Sequence, residues 1–159
     1  MGTRSESLAA KVEQSFADLL AAVEASTREQ WTARCSDGEW TQGFAAFHAA
    51  TYIGPIAQTV RSVADGQPFP MTSMEAIDAE NAVQAKEHTG CTKAETIDLI
   101  KGAAPAAVNI VKGLSDAQLD RKAQVLEGMP EVTIEMFVQM AVIGHAAYHL
   151  GTITGARLA

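Results

Sequence analysis

The sequence predicts one all-α domain, and three observations lead to that prediction. The chain has 159 residues, which is enough for a single domain with a hydrophobic core. Its five prolines fall mostly between segments of helical periodicity, and few stretches alternate in the manner of strands. Alanine is abundant, and the apolar fraction of 47% is ordinary for a globular protein. We therefore expect one helical domain over residues 1–159.

Caps and apolar stripes predict the helices of the first half. Residues 5–25 carry apolar side chains at helical spacing and form the first predicted helix. Thr27 and Gln30 are spaced as a capping box and predict a short turn. A second long helix is predicted from residue 39 or 40 to residue 64. Pro55 lies inside it and predicts a kink, because proline removes a backbone hydrogen bond.

The second half is predicted mainly from its caps. Ser73 is a plausible N-cap for a third helix that ends near residues 87–90. Thr92 and Glu95 form another predicted capping box, which opens a fourth helix. That helix ends at residue 112 or 113, with Gly113 as the C′ residue.

The end of the chain is predicted as a long loop and a long helix. Residues 115–119 form a one-turn helix, and residues 121–131 form the loop. Thr133 then caps the last helix. Residues 136–157 contain no Asp, Glu, Lys or Arg before Arg157 and no proline, so we expect one continuous helix there.

The charge pattern excludes two classes of partner. The net charge is −7, and no basic stripe is present, which argues against nucleic acids and anionic membrane surfaces.

The N-terminus has no apolar signal core, so we expect neither a secretory signal nor a membrane anchor. Cys35 and Cys91 are far apart and form no CxxC motif. A cytoplasmic protein with reduced thiols is therefore the expectation.

Two histidines stand out in the apolar last helix. His145 and His149 are spaced i,i+4, which places their rings on one helix face with Cβ atoms roughly 5–6 Å apart. Burying two imidazoles is costly unless each finds a partner, and a metal ion is one such partner. The spacing alone leaves two interpretations open. The pair binds a metal, or one ring is a hydrogen-bonded core residue and the other lies on the surface.

The remaining candidate ligands are judged by their surroundings. His48 lies deep in the apolar part of the second long helix and is either a satisfied core residue or a third ligand. If that helix neighbours the last one, three imidazoles converge and leave a coordination position open. His88 lies at a polar helix end, where a cation is favourable, and is interpreted as an end residue. Cys35 and Cys91 lie in or next to loops and are interpreted as bystanders.

The histidine surroundings exclude the common metalloenzyme motifs. Ala146 stands where HEXXH proteases carry glutamate as the general base. Di-iron bundles need Glu-x-x-His, and no glutamate stands three positions before a histidine. The residues at those positions are Ala45, Ala85, Val142 and Ala146. GxSxG, Walker A and GxGxxG patterns are also absent from the sequence.

Segments of the chain resemble the DinB/YfiT-like superfamily of four-helix-bundle metalloenzymes. Residues 39–48, EWTQGFAAFH, are similar to that family's W-[ST]-x-x-[EQ]-hydrophobic-x-x-H segment. Residues 145–153, HAAYHLGTI, are similar to its H-x-x-x-H-x-G-Q-[IL] ending, and residues 79–95 also match. The resemblance implies an all-α four-helix bundle with short additional helices. Two departures are Thr152 in place of the glutamine and Gly43 in place of a bulkier residue.

The resemblance also implies a metal and a class of reaction. Its ligand pattern corresponds to His48, His145 and His149, which would hold a divalent ion, either zinc or nickel, with iron or manganese as alternatives. Relatives use a low-molecular-weight thiol such as bacillithiol or mycothiol on small-molecule substrates, and they commonly form homodimers. We therefore expect a thiol S-transferase or a metal-dependent hydrolase. The alternative is a non-enzymatic metal-binding, dimeric stress-response module.

Residues one helical turn from these ligands are predicted to form the pocket. From His48 they are Phe44, Thr51 and Tyr52, and from the pair they are Ala141 and Thr152. Tyr52 is a candidate proton donor or orienting group, with a packed bundle residue as the other interpretation. The sequence forces no carboxylate near the cluster, so it names no general base.

Overall fold

Four long helices form the body of the molecule. The structure, a computed structural model, describes residues 3–36, 38–70 and 72–155. Its long helices are α1 (Arg4–Ala25), α3 (Gln42–Ala64), α5 (Lys93–Lys112) and a last helix that begins at Ile134. Both α1 and α3 pack against α5 and against the last helix. The all-α bundle prediction is confirmed.

Shorter elements connect or cover these helices. They are α2 (Arg28–Thr32), α4 (Met74–Glu87), α6 (Asp116–Asp120), β1 (Lys122–Ala123) and β2 (Val132–Thr133). The strands pair antiparallel, so the prediction of a loop over residues 121–131 was wrong at residues 122–123. Two-residue strands are too short to show the alternation from which strands are recognised.

The predicted N-caps are confirmed, whereas one predicted C-terminal residue is not. Each N-cap side chain accepts a hydrogen bond from the backbone N–H three residues later, which satisfies one of the unpaired donors of the first turn. The predicted caps are Thr27, Ser73, Thr92 and Thr133, and Ser115 caps α6 in the same way. The predicted capping box is complete at Thr27, whose N–H donates to Gln30 Oε1, whereas at Thr92 only the cap hydrogen bond is present. Gly113 is itself the C-cap of α5, with φ of −82°, and not the left-handed C′ residue that we predicted.

The core is aliphatic and rich in alanine along α3. Leu19, Ile100, Leu119 and Ile134 are the largest of the fully buried side chains. Burying each of them stabilises the fold by about 1.5–3 kcal/mol relative to leaving it exposed. The buried face of α3 includes the small residues Ala45, Ala46, Ala49, Ala50 and Ala57. These small side chains allow the neighbouring helices to approach α3 closely.

The last helix is not the uniform helix that the sequence predicts. It consists of α7 (Ile134–Phe137), a π-helical segment (Val138–Gly144) and α8 (His145–Thr154). The left-handed Gly155, with φ of 71°, ends it, and residues 156–157 of the prediction lie outside the described residues. A run without proline or charged residues gives no signal of the change from i→i+4 to i→i+5 bonding. π-Helical turns are frequent at functional sites, and His145 follows this one directly. No described helix is long and apolar enough to cross a membrane.

Helix α4 lies outside the four-helix body. All of its residues are described, and none of them is buried. Met74 and Val83 are more than half exposed, whereas Gln84 is half-buried. The ring of His88, the C-cap of α4, lies 4.8 Å from the ring of Phe47 in α3. This contact places the end of α4 against the first half of α3, where His48 lies.

Candidate metal centre

Three histidines converge where α3 packs against α8. The Nε2 atoms of His48 and His145 are 3.4 Å apart. The ring of His149 lies 4.6 Å from the ring of His145 and 5.0 Å from that of His48, measured between centroids. One ligand atom from each residue lies within 4.8 Å of the other two. The predicted convergence is confirmed, and this cluster includes neither His88 nor either cysteine.

The geometry of the cluster suits a metal ion. Two nitrogens bound at about 2.0–2.1 Å to one tetrahedral ion lie about 3.3 Å apart. The separation of the two Nε2 atoms is close to that value. The Nδ1 atoms of His48 and His149 are buried and have no hydrogen-bond partner in the described part of the chain. A core pair satisfied by hydrogen bonds would not leave them so. The three residues can therefore hold an ion.

The cluster is electrically neutral at neutral pH. Burial lowers the pKa of His145 to about 4, and the neighbouring His48 contributes in the same direction. Burial lowers the pKa of His149 to about 3, with smaller contributions from His145 and His48. Only the neutral imidazole has a lone pair to give to a metal. The fold thus keeps these side chains in the protonation state that ligation needs.

Aromatic side chains enclose one side of the cluster. The ring of Trp40 stacks on His149 with centroids 5.9 Å apart and an interplanar angle of 8°. Trp40 also meets Phe44 edge to face at 4.8 Å, and its backbone oxygen accepts a hydrogen bond from the N–H of Cys35 at 2.8 Å. Trp40 was not predicted as a site residue. The sequence feature that could have identified Trp40 as a site residue is its position in the family-like segment, residues 39–48, which ends at His48.

Two of the predicted pocket residues lie beside the cluster. The ring of Phe44 is 6.1 Å from that of His48. The ring of Tyr52 is 4.3 Å from His145 and 6.3 Å from His48. Burial raises the pKa of Tyr52, so its phenol stays protonated at neutral pH and can donate.

Two of the other three predicted pocket residues form hydrogen bonds within their own helices. The hydroxyl of Thr51 donates to the carbonyl oxygen of His48 at 2.9 Å. The hydroxyl of Thr152 donates to the carbonyl oxygen of His149 at 2.8 Å. Ala141 is half-buried in the π-helical segment. Whether these three residues line a substrate pocket stays a prediction.

Helix α4 brings two polar residues toward His48 that the sequence did not reveal. Burial lowers the pKa of His48, while a side-chain contact with Gln84 and the charge of Glu80 act to raise it. The amide nitrogen of Gln84 donates to Glu80 Oε1 at 3.4 Å. Nδ1 of His48 has no hydrogen-bond partner among the described residues. The sequence feature that could have drawn attention to them is their spacing, because Glu80 and Gln84 are polar residues four positions apart on a helix without an apolar stripe.

Gly43 has a packing role. A Cβ atom at this position would lie 2.5 Å from Nε1 of Trp31. That indole nitrogen donates to the carbonyl oxygen of Cys91 at 3.1 Å, which ties α2 to the start of α5. Glycine at position 43 therefore makes room for Trp31, and this explains the departure from the bulkier residue of the family segment.

Comparison with known proteins agrees with this geometry. No curated protein and no solved structure matches the chain. The model of the DinB superfamily matches residues 11–153, a span that includes all three clustered histidines. The chain therefore belongs to the DinB superfamily.

Proposed function

We propose that this protein is a metalloenzyme that activates a small thiol or a water molecule at a divalent ion held by His48, His145 and His149. The observation that carries the proposal is the convergence of three neutral imidazoles, two of which have a buried nitrogen with no hydrogen-bond partner among the described residues. A bound divalent ion would supply a Lewis acid that lowers the pKa of the thiol or water. With three protein ligands, at least one coordination position stays open for that nucleophile.

The surrounding side chains define how a substrate would be held. Trp40 and Phe44 offer apolar surface beside the ligands, which favours a small substrate with an apolar part. Tyr52 is close to His145 and keeps its proton at neutral pH. It is therefore suited to donate a proton to a leaving group or to orient the substrate.

The ligand set also limits the choice of ion and reaction. Imidazole nitrogen suits zinc and nickel, with iron or manganese as weaker-binding alternatives. With a low-molecular-weight thiol as co-substrate the reaction is an S-transfer, and with water it is a hydrolysis. We further propose a cytoplasmic homodimer, as the family resemblance implies. Sedimentation velocity of the purified chain tests this, and a monomer at micromolar concentration would contradict it.

Metal analysis tests the ligand set. Protein stripped with a chelator, reloaded with zinc or nickel and desalted is expected to retain one ion per chain. The His145→Ala variant should lose it, because two imidazoles bind far more weakly than three. His88→Ala is the matched control, since His88 lies outside the cluster and its removal should leave the stoichiometry unchanged. Metal content that is sub-stoichiometric in the wild type and unaffected by His145→Ala would exclude the site.

A turnover screen tests the reaction. Metal-loaded protein is incubated with several small thiols and electrophiles, and separately with simple esters and amides. Activity that disappears in both His145→Ala and the chelated wild type supports the proposal, and Tyr52→Phe should lower kcat more than it raises KM. Stoichiometric metal without turnover on any substrate would favour the non-enzymatic metal-binding module instead.

A further inference from the structure

Trp40 contacts two of the three clustered histidines. Its indole ring stacks on the ring of His149, with centroids 5.9 Å apart and an interplanar angle of 8°. The same indole lies 5.1 Å from the ring of His48, at an interplanar angle of 59°. Both separations fall within the range of about 4.5–7 Å over which aromatic rings attract each other. Among the described residues, the ring of His145 packs instead against Tyr52, at 4.3 Å.

The same two histidines lack the hydrogen bond that usually orients a ligating imidazole. A histidine that binds a metal through one nitrogen commonly donates its other N–H to an outer partner, which fixes the orientation of the ring. Nε2 of His48 faces His145 at 3.4 Å, and its Nδ1 is buried without a partner among the described residues. Nδ1 of His149 is buried and without a partner in the same way. The orientation of both rings therefore depends on the side chains packed against them, and Trp40 is an aromatic residue that contacts both.

Backbone hydrogen bonds hold Trp40 at the start of α3. The N–H of Cys35 donates to the carbonyl oxygen of Trp40 at 2.8 Å, and the N–H of Gln42 donates to the carbonyl oxygen of Ala33 at 2.8 Å. These two bonds pair the segment around Trp40 with the chain that precedes it, and Thr41 then caps α3. The indole therefore projects from a segment that is bonded on both sides, and it can support the rings next to it.

We propose that Trp40 is a positioning residue that holds the imidazoles of His48 and His149 in the orientation needed for a metal ion, in place of outer hydrogen bonds. A stacked imidazole cannot turn freely about its Cβ–Cγ bond, because a tilted ring would collide with the indole. Ligands that packing has already arranged bind an ion more tightly than mobile ones. The inference rests on the proposed function only for the metal, because the order of the rings is a property of the metal-free protein.

The alternative is that Trp40 only stabilises the core, and Trp31 provides the matched comparison. Both tryptophans are half-buried and pack against the hydrophobic core. The indole nitrogen of Trp31 donates to the carbonyl oxygen of Cys91, and the structure shows no ring contact between Trp31 and the clustered histidines within the described residues. Trp31→Leu and Trp40→Leu remove the same side chain, so a purely structural role predicts similar effects on the cluster from both.

Ring ¹³C relaxation of the metal-free protein at pH 7.5 measures the order of the imidazoles directly. The ring signals are assigned by their absence from the His48→Asn and His149→Phe variants. We expect both rings to be ordered in the wild type and in Trp31→Leu, and to gain motion on the ps–ns timescale in Trp40→Leu. Trp40→Phe keeps a flat ring and should retain most of the order. Mobile rings in the wild type, rings that stay ordered in Trp40→Leu, or equal loosening by Trp31→Leu would overturn the proposal.

Zinc affinity, measured by competition with a chromogenic chelator, provides a second test on the same proteins. Trp40→Leu should weaken zinc binding on the order of 10- to 100-fold, as the loss of an outer partner of a ligating histidine does. Trp40→Phe should restore most of the affinity, and Trp31→Leu should bind zinc like the wild type even where urea denaturation shows an equal loss of stability. Affinity that is unchanged in Trp40→Leu, or that Trp31→Leu lowers as much, would contradict the positioning role. Wild-type protein that binds no zinc would contradict the proposed function and leave the ring-order result standing.

Discussion

Helices α3 and α4 both contribute to the surroundings of His48, but they differ in how much of each helix is buried. α3 buries 14 of its 23 residues, whereas α4 buries none of its 14. α3 carries a proposed ligand, whose position must be fixed to a fraction of an ångström for metal binding. α4 carries Gln84 and Glu80, which act to raise the pKa of His48 against the opposite effect of its burial. The three clustered histidines therefore lie on helices that bury residues in the four-helix body, whereas the polar residues Glu80 and Gln84 lie on a helix that buries none.

The largest contrast is expected from matched truncations in the two helices. Ile53 in α3 is 2% exposed, and Ile53→Ala should lower the free energy of unfolding by about 2–5 kcal/mol. Val83 in α4 is 52% exposed, and Val83→Ala should change it by less than about 0.5 kcal/mol. Urea denaturation of both variants measures this. Equal losses would show that α4 is as firmly packed as α3.

Acid should destabilise the metal-free protein through the rigid part of the site. The folded pKa values of His145 and His149 lie below the unfolded value of about 6.5, so the unfolded chain binds more protons as the pH falls. Stability is therefore full above pH 6.5 and is lost toward pH 4, on the order of 2 kcal/mol per histidine by pH 5.

Urea denaturation in chelator at several pH values measures this loss. The His149→Phe variant removes one titrating ring and keeps an aromatic side chain against Trp40. Its stability should fall less steeply between pH 6.5 and pH 4. An identical pH dependence in both proteins would contradict the burial of a neutral His149.

Position 43, near the start of α3, should not tolerate a side chain larger than that of glycine. Gly43→Ala places a Cβ atom 2.5 Å from the indole of Trp31, and such overpacking costs typically about 1–3 kcal/mol. Gly102 in α5 is the control, since a Cβ atom there meets nothing within 4 Å. Gly102→Ala should be neutral or stabilising. Thermal denaturation of both variants decides, and a neutral Gly43→Ala would show that Trp31 moves aside freely.

The smallest contrast concerns the two N-caps. Thr41 accepts from the N–H of Phe44 at 3.1 Å, and Ser73 accepts from that of Ala76 at 3.2 Å. Thr41→Ala should lower global stability by about 1 kcal/mol. Ser73→Ala should leave global stability nearly unchanged and instead speed amide hydrogen exchange within α4. A global loss for Ser73→Ala as large as for Thr41→Ala would mean that α4 unfolds only with the whole domain.

The parts that sequence predicts are those governed by local chemistry. The caps Thr27, Ser73 and Thr133 follow from the hydrogen-bonding capacity of one side chain, and the structure confirms them. The sequence predicts that His48 meets His145 and His149 only if its helix packs against the last helix. Residue spacing within a helix does not show which helices become neighbours. The family-like segments supplied that missing information.

The parts that sequence missed depend on contacts between distant segments. The π-helical segment spans Val138–Gly144, where no proline or charged residue marks the change in helical hydrogen bonding. The contact of Gln84 with His48 depends on how α4 lies over α3, and α4 has no apolar stripe that would fix this from sequence. Trp40 was recognised as a motif residue, but its stacking on His149 required the folded chain.

X-ray absorption spectroscopy of the zinc- or nickel-loaded protein tests the central claim most directly. We expect a first coordination shell with three imidazole nitrogens, at about 2.0–2.1 Å for zinc, and no sulfur. The outer-shell scattering typical of imidazole should fall by one ring in His48→Ala, provided that this variant is loaded at higher metal concentration. A sulfur ligand from Cys35 or Cys91, or an imidazole count that His48→Ala leaves unchanged, would contradict the proposed centre.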